Sequence, residues 1–236
     1  MGAGSATVVK LWRYPVKSML GETLAHLDVD ARGVVGDRMF AVRDANGKFG
    51  SGKSTRRFAR IDGLFSFSAA YDAGVPRITF PSGRVMLGTD PEVHGALSAA
   101  LGQPVTLARE GSVSHLDAGP LHVLTTASLA WLSQTLPDAR IDGRRFRPNV
   151  LVDVPGTAQI EQGWIGHTVR IGDQVTLRIR QPTERCVMVT FAQTDLPEDP
   201  RVLRTLAEKS DADFGVYADV VTPGRIALGD AVTVET

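Results

Sequence analysis

The sequence predicts a mainly β protein, with β-barrel-type layers and a few short helices. Three observations carry this. Short runs of alternating or β-branched residues recur along most of the chain. Tight-turn residues stand between many of them: Asn46-Gly47, Pro81-Ser82-Gly83, Gly172-Asp173, Pro223-Gly224 and Gly229-Asp230. The regular alternation of strand and helix patterns that builds a parallel α/β sheet is missing. A chain of 236 residues with 43% hydrophobic content can bury one large core or two smaller ones.

The elements follow in chain order. Strands are expected at Val8–Tyr14, Thr23–Val29 and Met39–Arg43, the last running into the Asn46-Gly47 turn. Arg77–Phe80 and Arg84–Leu87 flank Pro81-Ser82-Gly83 as a hairpin. A helix follows, with Asp90 as cap, Pro91 at the first helical position and Gly102 as terminator. Strands Val105–Arg109 and Leu121–Leu124 bracket Glu110–Pro120, a polar loop rich in glycine and serine. A junction there divides the chain into an N-terminal β region, residues 5–115, and a β-barrel, residues 116–236. Thr125 or Thr126 caps a helix over Ala127–Leu136, with Leu129, Leu132 and Leu136 on one face. Strands Val150–Val154, Thr168–Ile171, Val175–Arg180 and Cys186–Phe191 come next. Asp199 caps a helix over Pro200–Lys209, and strands Ala218–Val221, Arg225–Leu228 and Ala231–Val234 end the chain.

Charge and targeting signals exclude several classes. The formal net charge is zero, so the overall charge gives no argument for nucleic acid or an acidic membrane surface. No apolar run is long enough to span a bilayer, and the first residues lack a signal-type core. A single cysteine fits a reducing compartment, which makes the cytoplasm the default location. The five histidines show no metal-ligand spacing, and no haem or iron–sulfur cysteine pattern is present. His122 alone stands beside a candidate site segment.

That single cysteine, Cys186, is the most informative residue. It cannot form an internal disulfide or a multi-thiolate metal centre. It can be a buried hydrophobe, a nucleophile, or one thiolate ligand to a soft metal. Arg178, Arg180 and Arg185 nearby favour the thiolate.

Gly47-Lys-Phe-Gly-Ser-Gly-Lys-Ser54 matches the phosphate-loop pattern, in which Lys53 would reach terminal phosphates and Ser54 would ligate magnesium. The pattern requires a buried strand before it and a helix after it. Asp44–Gly47 instead reads as a hairpin turn, and Thr55–Asp62 is short and soon meets Gly63. A nucleotide hydrolase is therefore a remote alternative.

Four other segments place polar or cationic residues beside turns: Trp12–Met19, Gly33–Phe40, Arg144–Asn149 and Arg185-Cys186. In Arg147-Pro148 the proline should hold Arg147 extended. Together these segments resemble the MOSC family, named for the C-terminal domain of molybdenum cofactor sulfurase. Tyr14-Pro-Val-Lys-Ser18 and Gly36-Asp-Arg38 look like its N-terminal β-barrel region. Phe146-Arg-Pro-Asn149, Pro182-Thr-Glu-Arg-Cys186, Pro223-Gly224 and Gly229-Asp230 look like the MOSC domain proper. The likeness runs from about Val8 to Val234.

The resemblance implies a function. It points to a molybdopterin-type molybdenum cofactor, and to reduction of N-hydroxylated small molecules as in the amidoxime-reducing MOSC proteins. Cys186 would ligate molybdenum and be the catalytic residue. Lys17, Ser18, Arg38, Arg147, Asn149 and Arg185 would hold the cofactor's phosphate and pterin, with Thr126 and Ser128 offering donors at a helix start. An external electron-donor protein would be the partner, with no nucleic acid and no membrane. A non-redox carrier of cofactor or sulfur uses the same residues and stays open. This chain has Glu184 where relatives often carry a small residue before the Arg-Cys pair, and it lacks a second nearby cysteine. Glu184 would repel an anionic cofactor, act near substrate, or simply pair with Arg185 or Arg145.

Overall fold

Seven of the alternating runs close on one another. The computed structural model describes residues 6–235, and its largest layer is a closed seven-strand barrel. The barrel strands are Ala6–Arg13, Leu121–Thr125, Val150–Asp153, Thr168–Ile171, Val175–Glu184, Asp213–Thr222 and Ala231–Glu235. Ala6–Arg13 closes it by pairing with both Val150–Asp153 and Ala231–Glu235. Neighbours run antiparallel, except that Leu121–Thr125 and Val150–Asp153 are parallel. Every second residue points inward, so Leu121, Val123, Val150, Val152, Leu177 and Ile179 fill the interior. Burying such side chains contributes about 1.5–3 kcal/mol each.

The N-terminal region forms its own layers. Phe40–Asp44 pairs with Val105–Arg109, Phe49–Ser51 and Val16–Lys17, and Phe58–Arg60 extends that sheet. A second sheet comprises Ser68–Asp72, Val75–Thr79 and Val85–Leu87. Met19, Ile61, Phe67, Ile78 and Leu97 pack between them. Gly224–Ala227 pairs with His26–Asp30, so the end of the chain returns to its beginning. The barrel's first strand comes from the N-terminal segment, so barrel strands lie on both sides of the Glu110–Pro120 loop.

Three α-helices stand among the described residues, near the three expected places: Val93–Leu101, Thr126–Thr135 and Arg201–Ser210. Gly102 ends the first in the left-handed region. The Thr125 hydroxyl accepts from the Ser128 N–H and caps the second. The Asp199 carboxylate accepts from the Arg201 N–H ahead of the third. Phe146 and Phe214 seat the second and third helices on the barrel, with ring centroids 4.4 Å apart.

Three local expectations are corrected. Cys186–Phe191 is no strand: Val187–Thr190 is a 3-10 turn, in which the Val189 N–H donates to the Cys186 carbonyl at 3.1 Å. Its alternating pattern reflects the burial of Val189 and Thr190, not a pleat. The preceding strand runs on past Arg180 to Glu184 through register shifts at Ile179/Gln181 and Pro182/Glu184. Pro182 reads as a break in the sequence, yet a bulge tolerates the missing donor. Arg147 is left-handed, with φ 54° and ψ 48°, rather than extended. Its N–H closes the 3-10 turn Gly143–Phe146 onto the Arg144 carbonyl, and that requirement overrides the bias set by Pro148.

The phosphate-loop segment is likewise no phosphate cradle. The Asp44 carboxylate accepts from the N–H groups of Asn46 and Lys48, at 3.0 and 2.8 Å, fixing a hairpin turn. Strands follow it instead of a helix.

Glu110 ties the polar loop to the N-terminal region. It accepts two bonds from Arg32, both 2.6 Å, and one from the His115 N–H. Burial alone would raise its pKa, but Arg32 and the His115 N–H outweigh that and hold it down at about 2. A lowered carboxylate pKa stabilises the fold above the unfolded value, near 4.3, and that gain is lost as pH falls towards the folded value. Its side chain is only 12% exposed, which sets the contribution at about 2–3 kcal/mol. Glu110→Gln should therefore flatten the loss of stability between pH 5 and pH 3 in urea unfolding. A variant whose pH profile matches wild type would refute this.

Candidate functional site

The N-terminal sheet and the barrel meet at a cavity of about 310 Å³. Lys17, Ser18, Arg38, Arg147, Arg185 and Cys186 all line it, although they come from four distant parts of the sequence. The volume lies in the range of small-molecule sites.

Backbone geometry aims several of these side chains. Ser18, Arg38 and Arg147 have φ of 65°, 52° and 54°. Non-glycine residues seldom adopt this region, and each instance costs on the order of 1 kcal/mol or more. Three such residues around one cavity concentrate strain where a ligand would sit. Tight bonds hold them there. The Arg38 N–H donates to the Tyr14 carbonyl at 2.7 Å. The Ser18 hydroxyl donates to the Gly50 carbonyl at 2.9 Å. Arg147 Nη1 donates to the Met19 carbonyl at 2.5 Å.

The electrostatics are lopsided. The Arg147 and Arg38 guanidinium groups lie 4.2 and 5.0 Å from the Tyr14 ring centroid. Arg38 has a charge partner in fully buried Asp37, which also accepts from the Tyr14 N–H at 2.7 Å. Burial works against the Arg38 charge, but Asp37 more than compensates and raises its pKa. Arg147 has no ion pair, and burial, then Arg38, push it down to about 10. Burial also lowers Arg185, whose Nη2 donates to the Phe146 carbonyl at 2.5 Å. Guanidinium groups hold their proton even so. Among the described residues, Arg147 Nη2 and Arg185 Nε are buried without any hydrogen-bond partner. Two crowded cations with orphaned donors fit an anionic ligand, such as a phosphate group, that supplies acceptors.

Lys17 is engaged already. Its ammonium donates to the His115 carbonyl at 2.8 Å and pairs with Asp117. Burial lowers the Lys17 pKa, and Asp117 acts in the opposite direction. Burial would raise Asp117, but Lys17, then Arg38, hold it well below the usual carboxylate range. The Glu110–Pro120 loop therefore supplies a cavity residue, Asp117. Its polarity suggested a junction; only the fold shows that it reaches Lys17.

Other expected site residues lie outside the cavity wall. Asn149 spans the barrel: its Oδ1 accepts from the His122 N–H at 3.1 Å and its Nδ2 donates to the Trp12 carbonyl at 3.3 Å. The Thr126 hydroxyl donates to Asp153 and accepts from the Val154 N–H. The Ser128 hydroxyl bonds Glu161, which also accepts from Thr125 at 2.6 Å. Burial raises the Glu161 pKa. In this structure the side chains of these three residues are engaged by the scaffold and do not line the cavity.

Cys186 is half-buried in the cavity wall, between Arg185 and the Val187–Thr190 turn. Arg178 and Arg180 do not line the cavity; Arg180 donates to the Ala118 carbonyl and pairs with Asp219. Glu184 also lines it but pairs with neither Arg185 nor Arg145. Arg145 is fully buried and donates to the carbonyls of Arg140 and Pro197. His122 forms part of the wall, kept uncharged by burial and then by Arg185. The imidazole fits only because residue 215 is glycine, at φ 81°: a Cβ there would lie 2.3 Å from His122 Nε2. Among the described residues no group of three or more His, Cys, Asp or Glu side chains could hold a metal ion.

Fold and site together define a β-barrel protein with a cationic, thiol-bearing cavity suited to an anionic ligand. Residues 90–233 match the MOSC domain and residues 5–87 match the MOSC N-terminal beta barrel domain. The chain belongs to the MOSC family. It is 26% identical to mitochondrial amidoxime-reducing component 1 of Mus musculus, over 96% of this chain and 81% of that protein. The Homo sapiens protein of the same name is 25% identical, over 96% of this chain and 82% of its own length. Among solved structures, the YUAD protein of Bacillus subtilis aligns with a TM-score of 0.56, covering 99% of this chain and 97% of that one. At 13% identity this likeness speaks for the fold alone.

Proposed function

We propose that this chain binds a molybdopterin-type molybdenum cofactor and reduces N-hydroxylated small molecules with electrons from an external donor protein. The observation that carries the reading is the placement of the sole thiol, Cys186, in the wall of the cavity that also gathers Lys17, Arg38, Arg147 and Arg185. The names of the amidoxime-reducing relatives supply the reaction class.

In this reading the Cys186 thiolate is the protein's ligand to molybdenum, a strongly electron-donating sulfur ligand. Arg147 and Arg185 direct their unpartnered donors at the cofactor's phosphate, and Arg38 adds charge from its Tyr14-backed position. Lys17 contributes once its pairing with Asp117 is shared or exchanged. Bound cofactor supplies two-electron chemistry at the substrate oxygen. The N–O bond breaks, two electrons and two protons enter, and the products are the N–H compound and water. Uncharged His122 and half-buried Cys186 would both border the bound cofactor, since both line the cavity. The default cytoplasmic location belongs to this proposal; among the described residues no helix is long and apolar enough to cross a membrane.

The test is protein purified from a host that makes the cofactor. Elemental analysis should find about one molybdenum per chain, and reduced viologen should drive benzamidoxime to benzamidine. Absence of molybdenum would defeat the proposal. Bound molybdenum without reduction of any N-hydroxylated compound would put the carrier reading ahead.

A further inference from the structure

The phosphate-loop motif left one residue unexplained. Lys53 does not sit in a nucleotide cradle, yet it lines the same cavity as Cys186. The reason is local packing. The Gly52 N–H donates to Met188 Sδ at 3.0 Å, and Met188 stands two residues beyond Cys186. A Cβ at Gly52 would lie 2.4 Å from the Phe191 ring, so the absence of a side chain lets this segment press onto the Val187–Thr190 turn. Lys53 is thereby held at the cavity mouth.

Its charge is uncommitted. Lys53 is exposed, and among the described residues it makes no ion pair or side-chain hydrogen bond. Its Nζ lies 5.7 Å from the centroid of the Phe58 ring. Of the deeper cations, Lys17 and Arg38 are paired with carboxylates, while Arg147 and Arg185 are buried. Glu184, from the barrel side of the same mouth, is likewise without a cation partner. The mouth thus presents a free ammonium from the N-terminal layer and a free carboxylate beside the thiol.

We propose that Lys53 is a specificity-determining residue that selects substrates carrying a carboxylate away from their N-hydroxyl group. This rests on the reductase reading above. Lys53 attracts the carboxylate and Glu184 repels it, so the substrate enters with its N–OH end towards Cys186. A single ammonium suits one monoanion; a phosphate dianion is better met by the several guanidinium groups deeper in the cavity.

The experiment compares benzamidoxime with its para-carboxylate on holoprotein, reading the dissociation constant of each by calorimetry. Wild type should prefer the carboxylate by about threefold to fivefold, the scale of a solvent-exposed charge pair. Lys53→Ala should abolish the preference, Lys53→Arg should keep most of it, and both variants should retain wild-type molybdenum content. Raising salt should erode the preference. Equal binding of the two compounds by wild type, or a preference that survives in Lys53→Ala, would overturn the proposal. So would molybdenum loss in Lys53→Ala, which would make Lys53 a cofactor anchor. The reductase reading is judged separately, by turnover: binding with the expected preference but no reduction would sink that reading and leave the role of Lys53 standing.

Discussion

Cys186→Ser should fold like wild type and lose molybdenum-dependent reduction. The substitution changes one half-buried atom in a wall that is already polar, and Cys186 forms no disulfide. Its cost in stability should therefore stay within about 1 kcal/mol. The effect on chemistry should be large. A serine oxygen is a harder ligand than a thiolate and alters the charge donated to the metal. The cationic anchors are untouched, so the variant should retain at least part of the cofactor while turnover falls by about a hundredfold or more. Thermal melting, elemental analysis and viologen-driven turnover separate these three effects. Full activity with bound molybdenum would remove Cys186 as the ligand.

The second large effect is expected at Arg147. Arg147→Ala should lower cofactor retention by about tenfold to a hundredfold, the loss of one or more charge-assisted hydrogen bonds worth about 1.5–3 kcal/mol each. The cofactor-free variant should nevertheless melt no lower than wild type. Arg147 is a buried cation with no direct ion pair among the described residues, it repels Arg38, and its Nη2 has no partner there. Removing it relieves these costs, which offset the lost bond to the Met19 carbonyl and the lost contacts with the Tyr14 and Phe65 rings. Stability held or gained together with binding lost is the signature of a residue retained for a ligand. A drop in melting temperature with unchanged molybdenum content would mean that Arg147 serves the fold instead.

Much of the fold was legible because its driving patterns are local. Thr168–Ile171 and Val105–Arg109 alternate cleanly and lie between clear turns, and they form as strands at those bounds. Thr125 caps its helix as expected, while Asp90 and Asp199 accept backbone N–H bonds just ahead of helices that begin slightly later, at Val93 and Arg201; these side-chain oxygens reach only a few residues along the chain. Where tertiary packing overrides propensity, the local reading failed. Val187–Thr190 has strand composition but turns to bury Val189, and Pro182 sits within a strand because a bulge removes the need for its N–H.

The candidate site divides in the same way. Lys17, Arg38, Arg147, Arg185 and Cys186 were named from their segments, and all five line one cavity. Asn149, Thr126 and Ser128 have the same hydrogen-bonding chemistry, yet their atoms are taken up by His122, Asp153 and Glu161. Composition cannot show which donors are already satisfied. Asp117 and Lys53 join the cavity through contacts about 100 residues apart or more, Lys17 to Asp117 and Gly52 to Met188.

The sequence by itself determined that the chain is mainly β, which three segments turn helical, and that a lone thiol and a cationic set belong to one family signature. Those properties depend on side-chain period, turn chemistry and residue identity, all carried within a few neighbouring positions. Only the tertiary structure decided which cations remain without partners, that Arg147 is held left-handed, and that Lys53 reaches the thiol's cavity instead of a nucleotide. These depend on burial and on long-range hydrogen bonds, which come into being only when the barrel closes against the N-terminal sheet.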